Sequence, residues 1–372
     1  MNEYELYLPK HDGLDIGKLS RSFKHVSNSY KFYWFLAILD HISEQDDLYI
    51  SLDELSLRMI SSIWYPLDYF KLSFGKQDGF KDLSKIISSF MEVNNSTNAP
   101  SLMSQIEQNL PSNISVKLKH KIKIALKRWV TYRFLSPFFE SQLKGVRDQK
   151  ANEIINTLTN TKIFEDYAPY KIDNEGIYLS SKWVEYFKLH QYILRGFIKW
   201  NLVKFLQKNN PNVIGLSEKL EKPIKRDLKR AKLFWLSFIT NKEVRCIYSN
   251  ELITKDNMSL DHFIPWSYIA HDQLWNIIPT IKKINSAKGN SLPSLSHYLD
   301  EFCKLQYLAY NYYLKNGAFN KSHSYGDIFQ FEYDYEHDFE GFKKMLIPEI
   351  SNHYRTAEHL GFYSAYISPL KD

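Results

Sequence analysis

The sequence predicts a mostly α-helical protein with one small embedded α+β module. Three observations predict this fold class: segments of helical length run up to about residue 240, short strand-like apolar runs follow, and further helical segments come after Pro293. We divide the chain into a helical N-terminal region at 1–145, a basic region with a hairpin and long helices at 146–240, the α+β module at 241–292, and C-terminal helices with an acidic segment at 293–372.

The N-terminal region is predicted to be helical. Residues 28–44 form a strongly apolar segment of helical length, and Ser51 with Glu54 three residues later can cap the helix that follows. Residues 93–113 are rich in Asn, Ser and Pro, which predicts a loop or a partly ordered connection. The stretch from Val116 fits both a strand and a helix, and its abundant Ala, Leu, Lys and Arg favour the helix.

The basic region is predicted to contain a hairpin followed by two helices. Residues 170–179 resemble a small β-hairpin that turns at 174–176, and a long helix is predicted from about Ser181. Apolar residues then recur at spacings of 4, 3, 4 and 3, which predicts an amphipathic helix with a basic outer face. These residues are Ile224, Leu228, Ala231, Trp235 and Phe238.

The net charge of +6 suits a polyanionic partner without requiring one. Basic residues cluster at 117–133 and 219–232, whereas 327–340 is acidic, so we expect a basic side and an acidic side. Each basic cluster could equally be a solvated helix face, and Arg245 could form a surface salt bridge. The predicted nucleic-acid-binding residues are Lys121, Lys127, Arg128, Lys225, Arg226, Lys229, Arg230 and Arg245.

The cysteine content and the hydropathy pattern predict a cytoplasmic protein. Two cysteines, Cys246 and Cys303, cannot build a disulfide framework or a four-cysteine zinc site. The first ten residues lack the apolar core of a signal peptide, and no apolar run approaches the ~20 residues that span a membrane. We therefore expect no membrane association.

The α+β module is predicted to consist of two strands, a loop and a short helix. Two short apolar runs, Cys246–Tyr248 and Leu260–Phe263, resemble strands, with turn-forming residues between them. An irregular aromatic loop follows from Ile264 to Trp275. Thr280 is predicted to cap a short helix that Gly289 ends.

Side chains in this module suit the hydrolysis of a phosphodiester bond. The reaction needs a base that takes a proton from water and a divalent cation that stabilises negative charge. His262 has the right chemistry for the base, and Asp261 and Asn285 offer the oxygen donors that Mg²⁺ prefers. Lys288 lies three residues after Asn285, on the same helix face, where it could hold a phosphate.

The sequence Asp261-His262-Phe-Ile-Pro265, followed by Asn276, Asn285 and Lys288, resembles the HNH endonuclease family in its D-H…N…N variant. Asn276 follows His262 by 14 positions and Asn285 follows it by 23, which is also the spacing in the HNH domain of RNA-guided CRISPR nucleases. The resemblance implies a ββα-metal fold, with His262 as general base, Asp261 and Asn285 as metal ligands, and Asn276 as a brace for the loop. It implies a divalent cofactor, Mg²⁺ or Mn²⁺.

Two features depart from the family pattern. Ser249 stands where a second cysteine would complete C-x-x-C after Cys246, so we expect no structural zinc. Neighbouring residues on a regular strand face opposite sides, so Asp261 and His262 share a site only if the backbone twists or bulges; otherwise the ligand role of Asp261 is lost.

Further residues of the loop have more than one interpretation. His271 and Asp272 could contact substrate or position the loop, with a structural role favoured. Trp266 could stack on a base, but packing within the loop is the favoured interpretation.

The sequence predicts a metal-dependent endonuclease that cleaves DNA. The N-terminal region is similar to accessory regions of bacterial HNH proteins linked to restriction and anti-phage defence, and the acidic segment could shield the basic surface or meet a protein partner. Alternatives are a non-catalytic nucleic-acid-binding subunit on an HNH scaffold, a nuclease that acts on RNA, and an interaction protein with an acidic partner. A homo-oligomer also remains open.

Overall fold

The computed structural model describes residues 8–76, 78–93, 97–161, 164–222, 226, 228–315, 325 and 338–369. The chain divides into two compact units. Unit 1 comprises Met1–Pro211 and Leu216–Lys222, and unit 2 comprises Asn212–Gly215 and Pro223–Asp372. As the sequence predicts, the protein is mostly helical, with small sheets of three and two strands.

Unit 1 is built mainly of α-helices. In chain order they are α1 (Ile16–Arg21), α2 (Tyr30–Glu44), α3 (Leu52–Trp64), α4 (Phe80–Phe90), α5 (Ala99–Asn109), α6 (Ser112–Ala125), α7 (Thr131–Leu135), α8 (Glu140–Leu143), α9 (Asp148–Thr159), α10 (Phe164–Tyr167), α11 (Ser181–Leu189) and α12 (Gln191–Asn209). Shorter helical turns of π or 3₁₀ type lie at Tyr65–Tyr69, Leu126–Val130, Ser136–Phe139 and Leu216–Lys219.

The apolar segment 28–44 forms α2, which lies in the core of unit 1. Apolar residues surround this helix on most of its circumference, and a helix of that kind is stable only when it is buried. Its aromatic side chains pack against several neighbours. Phe35, for example, contacts Phe134 and Phe187 at centroid distances of 5.4 and 5.0 Å.

The predicted cap of the next helix is confirmed, because the Ser51 hydroxyl accepts a hydrogen bond from the backbone N–H of Glu54 at the start of α3. The stretch from Val116 is helical, as predicted, and belongs to α6. The prediction of a loop at 93–113 is wrong for most of that segment, which contains α5 and the start of α6. Asn98 caps α5, so a residue type that suggested a loop here begins a helix.

Unit 1 also contains the predicted hairpin. Strands β2 (Tyr170–Ile172) and β3 (Gly176–Leu179) pair antiparallel, and β1 (Tyr49–Ser51) joins β3 on its other edge. A Cβ atom at Gly176 would lie 2.6 Å from the carbonyl oxygen of Ile50. The close approach of these two strands therefore requires glycine at this position.

Unit 2 places a two-stranded sheet among helices. Its elements are α13 (Lys229–Asn241), β4 (Met258–His262), α14 (Trp266–Ile269), a 3₁₀ turn at Leu274–Asn276, β5 (Ile277–Ile281), α15 (Lys282–Lys288), α16 (Leu295–Lys315) and α17 (Phe339–His359). The two helices after Pro293 are thus confirmed. The amphipathic helix before the module is confirmed from Lys229 on, and Leu228 lies directly before its first residue.

The second strand of the module is not where the sequence predicts it. Cys246–Tyr248 is part of a tight turn, closed by hydrogen bonds from the Cys246 N–H to the Glu251 carbonyl and from the Asn250 N–H to the Cys246 carbonyl. The partner of β4 is β5, which pairs with it antiparallel. Thr280 lies inside β5 and does not cap α15, whereas Gly289 ends that helix with φ of 51°, as predicted.

Some predictions concern residues outside the described ranges. They are the helical position of Ile224, the nucleic-acid contact of Lys225, and the acidic segment 327–340 except for its last three residues. In the part of the chain that the structure describes, no helix combines the length and the apolar character needed to cross a membrane.

Candidate active site

Strands β4 and β5 and helix α15 form a ββα unit that carries the predicted site residues. The two strands pair without interruption from Met258 opposite Ile281 to His262 opposite Ile277. Because α15 begins directly after β5, it returns along β4 and places Asn285 and Lys288 beside the end of that strand. The sequence spacing between motif residues thus becomes spatial proximity.

The Asp261 carboxylate is buried between two donors. Oδ1 lies 3.0 Å from the ammonium of Lys288, and Oδ2 accepts a hydrogen bond of 2.8 Å from the Tyr248 hydroxyl. Lys288 also donates to the carbonyl oxygen of His262 at 2.8 Å, and its side chain is 0% exposed. Burial and the neighbouring carboxylate raise the pKa of Tyr248 well above its ordinary value, so the phenol remains a donor.

Asn285 is held by its nitrogen and presents its oxygen. Nδ2 donates to the Leu260 carbonyl and to the Ser259 hydroxyl, each at 2.9 Å. None of the described residues donates a hydrogen bond to its Oδ1. The side chain is therefore fixed on β4, beside Asp261, with a carbonyl-type oxygen available to a ligand.

The imidazole of His262 contacts the loop between the two strands. Its Nε2 lies 2.9 Å from Oδ1 of Asp272, and the His262 side chain is 4% exposed. An ionised carboxylate only accepts hydrogen bonds, so Nε2 carries the proton in this pair. That assignment leaves the lone pair of the neutral ring on Nδ1.

Asp261 and His262 have different partners, as expected for neighbours on a regular strand. Their cross-strand pairs, Ile278 and Ile277, follow each other without a bulge. From the sequence, Asp261 and His262 could share a site only if the backbone twisted or bulged between them. This described strand pair has no such bulge. The two residues are instead linked by Lys288, which contacts the side chain of one and the carbonyl of the other. The condition stated from the sequence for a site that Asp261 and His262 share directly is therefore not met, and the ligand role of Asp261 stays a prediction that rests on Asn285 and Lys288 instead.

Asn276 fixes the loop that carries Asp272. Its Oδ1 accepts from the backbone N–H of Ile264, and its Nδ2 donates to the carbonyl of the same residue, both at 2.8 Å. The Phe263 N–H donates in turn to the Asn276 carbonyl. Asn276 is fully buried, so these bonds replace water that would otherwise solvate the groups. Its position is that of a structural brace.

Helices α16 and α17 support the same loop from outside the ββα unit. Gln306 on α16 donates to the carbonyls of Leu274 and Ile277 at 3.0 Å, and His353 on α17 stacks on Trp275 at a centroid distance of 5.9 Å. Trp266 is 8% exposed, which favours its packing role over base stacking. The loop is therefore anchored at several points around Asp272.

The predicted basic residues of unit 1 occupy the surface of α6 and the turn after it. Lys121 is exposed. Lys127 forms an ion pair of 2.5 Å with Glu175, and the guanidinium of Arg128 lies 4.9 Å from the ring centre of Trp129. Part of the positive charge predicted for this surface is thus balanced by a carboxylate.

In unit 2, the guanidinium of Arg226 lies 4.8 Å from the ring centre of Trp266. Arg245 pairs with Glu243 at 2.9 Å, which is the surface salt bridge considered as its alternative role. Lys229 and Arg230 are exposed on the first turn of α13.

Sequence reasoning missed one partner in the site and left another undecided. Tyr248 lies in a run interpreted as a strand, and no sequence signal indicates that its hydroxyl contacts Asp261. For Asp272 the sequence leaves a substrate contact and a role in positioning the loop both open. The only sequence feature that links Asp272 to His262 is their separation of ten positions. A loop of that length does not determine which of its side chains contacts the histidine.

Comparison with known families gives a match over the same stretch of the chain. Residues 246–294 match the model of a family described as HNH endonuclease. Residues 246–294 are therefore similar to HNH endonucleases, and we call them the HNH segment. The match suggests a nuclease, and hence a nucleic-acid substrate and the divalent metal that HNH nucleases typically use. A search of curated proteins and a search of solved structures each gave no match.

The donor set of the HNH segment fits a hard cation, although it is sparse. Within the described ranges, no three His, Cys, Asp or Glu side chains form a group that could hold a metal ion. The segment instead offers one carboxylate on Asp261 and one amide oxygen on Asn285. Mg²⁺ often takes only one or two protein oxygens and completes its shell with water and substrate phosphate. Cys246 contacts the Thr280 hydroxyl with its sulfur at 3.1 Å.

Proposed function

We propose that the HNH segment hydrolyses phosphodiester bonds in DNA, with His262 as general base and with a divalent cation, Mg²⁺ or Mn²⁺, held by Asp261 and Asn285. The observation that supports this most strongly is that Asn285 and Lys288, on one face of α15, contact the end of β4, where Lys288 joins the Asp261 carboxylate to the His262 carbonyl. The match of the segment to HNH endonucleases supports the reaction class.

His262 has the environment of an oriented base. Because Asp272 accepts a hydrogen bond from Nε2–H, the ring presents the Nδ1 lone pair, which can take a proton from an attacking water. The carboxylate also stabilises the imidazolium that forms when the proton is transferred. Asp272 is thus a positioning residue in this proposal, and His262 is the residue that contacts the reacting water.

Asp261 and Asn285 are the residues that would hold the cation. The fit rests on an amide oxygen without a hydrogen-bond donor among the described residues and on an adjacent buried carboxylate. When bound, a divalent cation stabilises the negative charge that develops on the phosphate and on the leaving oxygen. Asn276 keeps the loop and the end of β4 in register, so the base and the oxygen donors hold their positions.

Phosphate binding outside the reacting centre is assigned to the basic residues. Lys229 and Arg230 are exposed at the start of α13, in the same unit as the HNH segment, and Arg226 and Arg245 lie near the surface. Contacts with phosphates contribute affinity for nucleic acid that falls as the salt concentration rises, and they do not distinguish one base sequence from another. We place this activity in the cytoplasm and in bacterial restriction or anti-phage defence, on the similarity of the N-terminal region to accessory regions of such proteins.

A plasmid-nicking assay tests the proposed function. The purified chain should nick supercoiled DNA with Mg²⁺ or Mn²⁺ and not with EDTA. His262→Ala should lower the rate by about 10²–10⁴-fold, as expected for the loss of a general base, and should leave DNA binding intact. His359→Ala is the matched control, because this histidine is exposed at the end of α17.

Three results would contradict parts of the proposal. Equal rates for His262→Ala and the wild type would remove the base. Cleavage of labelled RNA but not of DNA would change the substrate. DNA binding without metal-dependent cleavage under any of these conditions would identify a binding subunit on an HNH scaffold.

A further inference from the structure

We propose that Lys288 is an internal counter-ion that occupies the Asp261 carboxylate until a divalent cation displaces it. The chain thereby closes its own metal site when no cation is bound. This inference rests on the proposed function, since it takes Asp261 and Asn285 as the cation ligands.

The position of Lys288 is unusual for a lysine. Its side chain is 0% exposed, and lysine is almost never fully buried unless it is paired. The ammonium contacts two oxygens of β4, the Asp261 carboxylate at 3.0 Å and the His262 carbonyl at 2.8 Å. It therefore fills a position lined by oxygen atoms, which is also the environment that a hard cation requires.

The neighbouring side chain shows why this position coincides with the predicted cation site. Asn285 lies one helical turn before Lys288 and contacts Leu260, whereas Lys288 contacts the next two residues of the strand. The two side chains therefore flank Asp261 from the same face of α15. A cation bound by both Asp261 and the free oxygen of Asn285 would lie directly beside the ammonium.

The cation and the ammonium compete for the same carboxylate. Tyr248 is neutral and can keep its hydrogen bond to Oδ2, but a positive charge next to a divalent ion in a buried site is strongly unfavourable. Lys288 is therefore the partner that leaves. Without a cation, its charge stabilises a carboxylate that would otherwise be buried and unpaired. Part of the binding free energy of the metal is then spent on displacing Lys288.

Displacement also gives Lys288 a second role. The released ammonium needs a new anionic partner. In the proposed reaction, the phosphate of the bound nucleic acid is such a partner. The role of Lys288 as a phosphate ligand, predicted from the sequence, would then apply only after the metal is bound. DNA and metal should each strengthen the binding of the other.

Mn²⁺ binding to the full-length chain without DNA tests the proposal, with free Mn²⁺ measured by electron paramagnetic resonance. Lys288→Met removes the charge and keeps the length of the side chain, and it should bind Mn²⁺ at least about tenfold more tightly than the wild type. Lys283→Met is the matched control, because this lysine is exposed on the same helix. The control should change the affinity by less than about twofold, which separates local displacement from a general charge effect.

Two further measurements test whether the gain in affinity depends on Asp261 and whether Lys288 leaves its position in the wild type. Asp261→Asn combined with Lys288→Met should lose the gain in affinity. In the wild type, saturating Mg²⁺ should raise the labelling of Lys288 by an amine-reactive reagent severalfold relative to Lys283, as measured by peptide mass spectrometry. This second measurement needs no variant and remains informative if Lys288→Met does not fold.

The failure of this inference is distinguishable from failure of the proposed function. If the wild type binds Mn²⁺, Asp261→Asn abolishes binding, and Lys288→Met binds no better than Lys283→Met, only the counter-ion role is overturned. If neither the wild type nor Lys288→Met binds Mn²⁺, or if binding persists in Asp261→Asn, the metal assignment falls with it.

Discussion

Substitution of Asp272 tests how the general base is prepared. The carboxylate makes a 2.9 Å contact with the nearly buried imidazole of His262, and a hydrogen bond to a charged group typically contributes about 1.5–3 kcal/mol. If that free energy is used in the transition state, Asp272→Ala should lower kcat by about 10- to 150-fold, at about 1.4 kcal/mol per tenfold. Asp272→Asn keeps an acceptor and loses the charge, so its kcat should be intermediate.

The assay combines turnover, binding and spectroscopy. We expect kcat to fall at saturating DNA and metal, while the Kd for DNA measured in EDTA changes by less than about twofold. ¹⁵N NMR should show the neutral wild-type ring protonated on Nε2, and Asp272→Ala should show both tautomers. Asp256→Ala is the control, because Asp256 lies in an exposed turn of the same unit. Unchanged kcat together with an unchanged tautomer would refute the orienting role of Asp272.

Three further predictions concern buried groups of the chain. Asn276→Ala leaves the N–H and the carbonyl of Ile264 without their partners. At about 1–3 kcal/mol for each unsatisfied group, the free energy of unfolding should fall by about 2–6 kcal/mol in thermal and chemical unfolding. A loss below about 0.5 kcal/mol would contradict the bracing role. Gly176→Ala should destabilise unit 1 by about 1–3 kcal/mol, because its Cβ would meet the Ile50 carbonyl. The control is Gly196→Ala in α12, whose Cβ would meet nothing within 4 Å and which should stabilise the chain by about 0.5–1 kcal/mol. Equal effects of the two substitutions would refute the close approach of the strands as the reason for glycine at 176. Burial lowers the pKa of Lys219 to about 7, so between pH 7 and the ordinary lysine pKa the native state binds fewer protons than the unfolded state. The free energy of unfolding should therefore rise with pH in that window. Lys219→Met should flatten this rise and stabilise the chain at pH 7 by about 1–4 kcal/mol, which urea unfolding at pH 7 and 9 measures.

The sequence indicated the chemistry of the HNH segment better than its backbone. The spacing of His262, Asn276 and Asn285 was readable because motif residues keep fixed intervals along the chain. The strand at Ile277–Ile281 was not readable, because Pro279 and Thr280 resemble the entry to a helix. A proline is tolerated there because a two-stranded sheet consists of edge strands, where one missing donor costs little.

Long-range contacts account for the rest of what the sequence could not indicate. The sequence predicts a phosphate contact for Lys288, because the spacing indicates which helix face carries this lysine. The spacing does not indicate the strand against which that face packs. The same holds for the contact between Tyr248 and Asp261, which depends on a turn closed by backbone hydrogen bonds. At residues 93–113 the composition indicated a loop, but Leu102 and Ile106 are buried on one face of α5 and stabilise a helix there.

The most direct measurement is a crystal structure of the chain soaked with Mn²⁺, with the ion located from its anomalous scattering. The account predicts an ion within about 2.0–2.6 Å of an Asp261 carboxylate oxygen and of Asn285 Oδ1, with Nζ of Lys288 moved away from Asp261. An ion bound elsewhere, or an active, metal-dependent enzyme whose Asp261 and Asn285 oxygens do not contact the ion, would contradict the central claim.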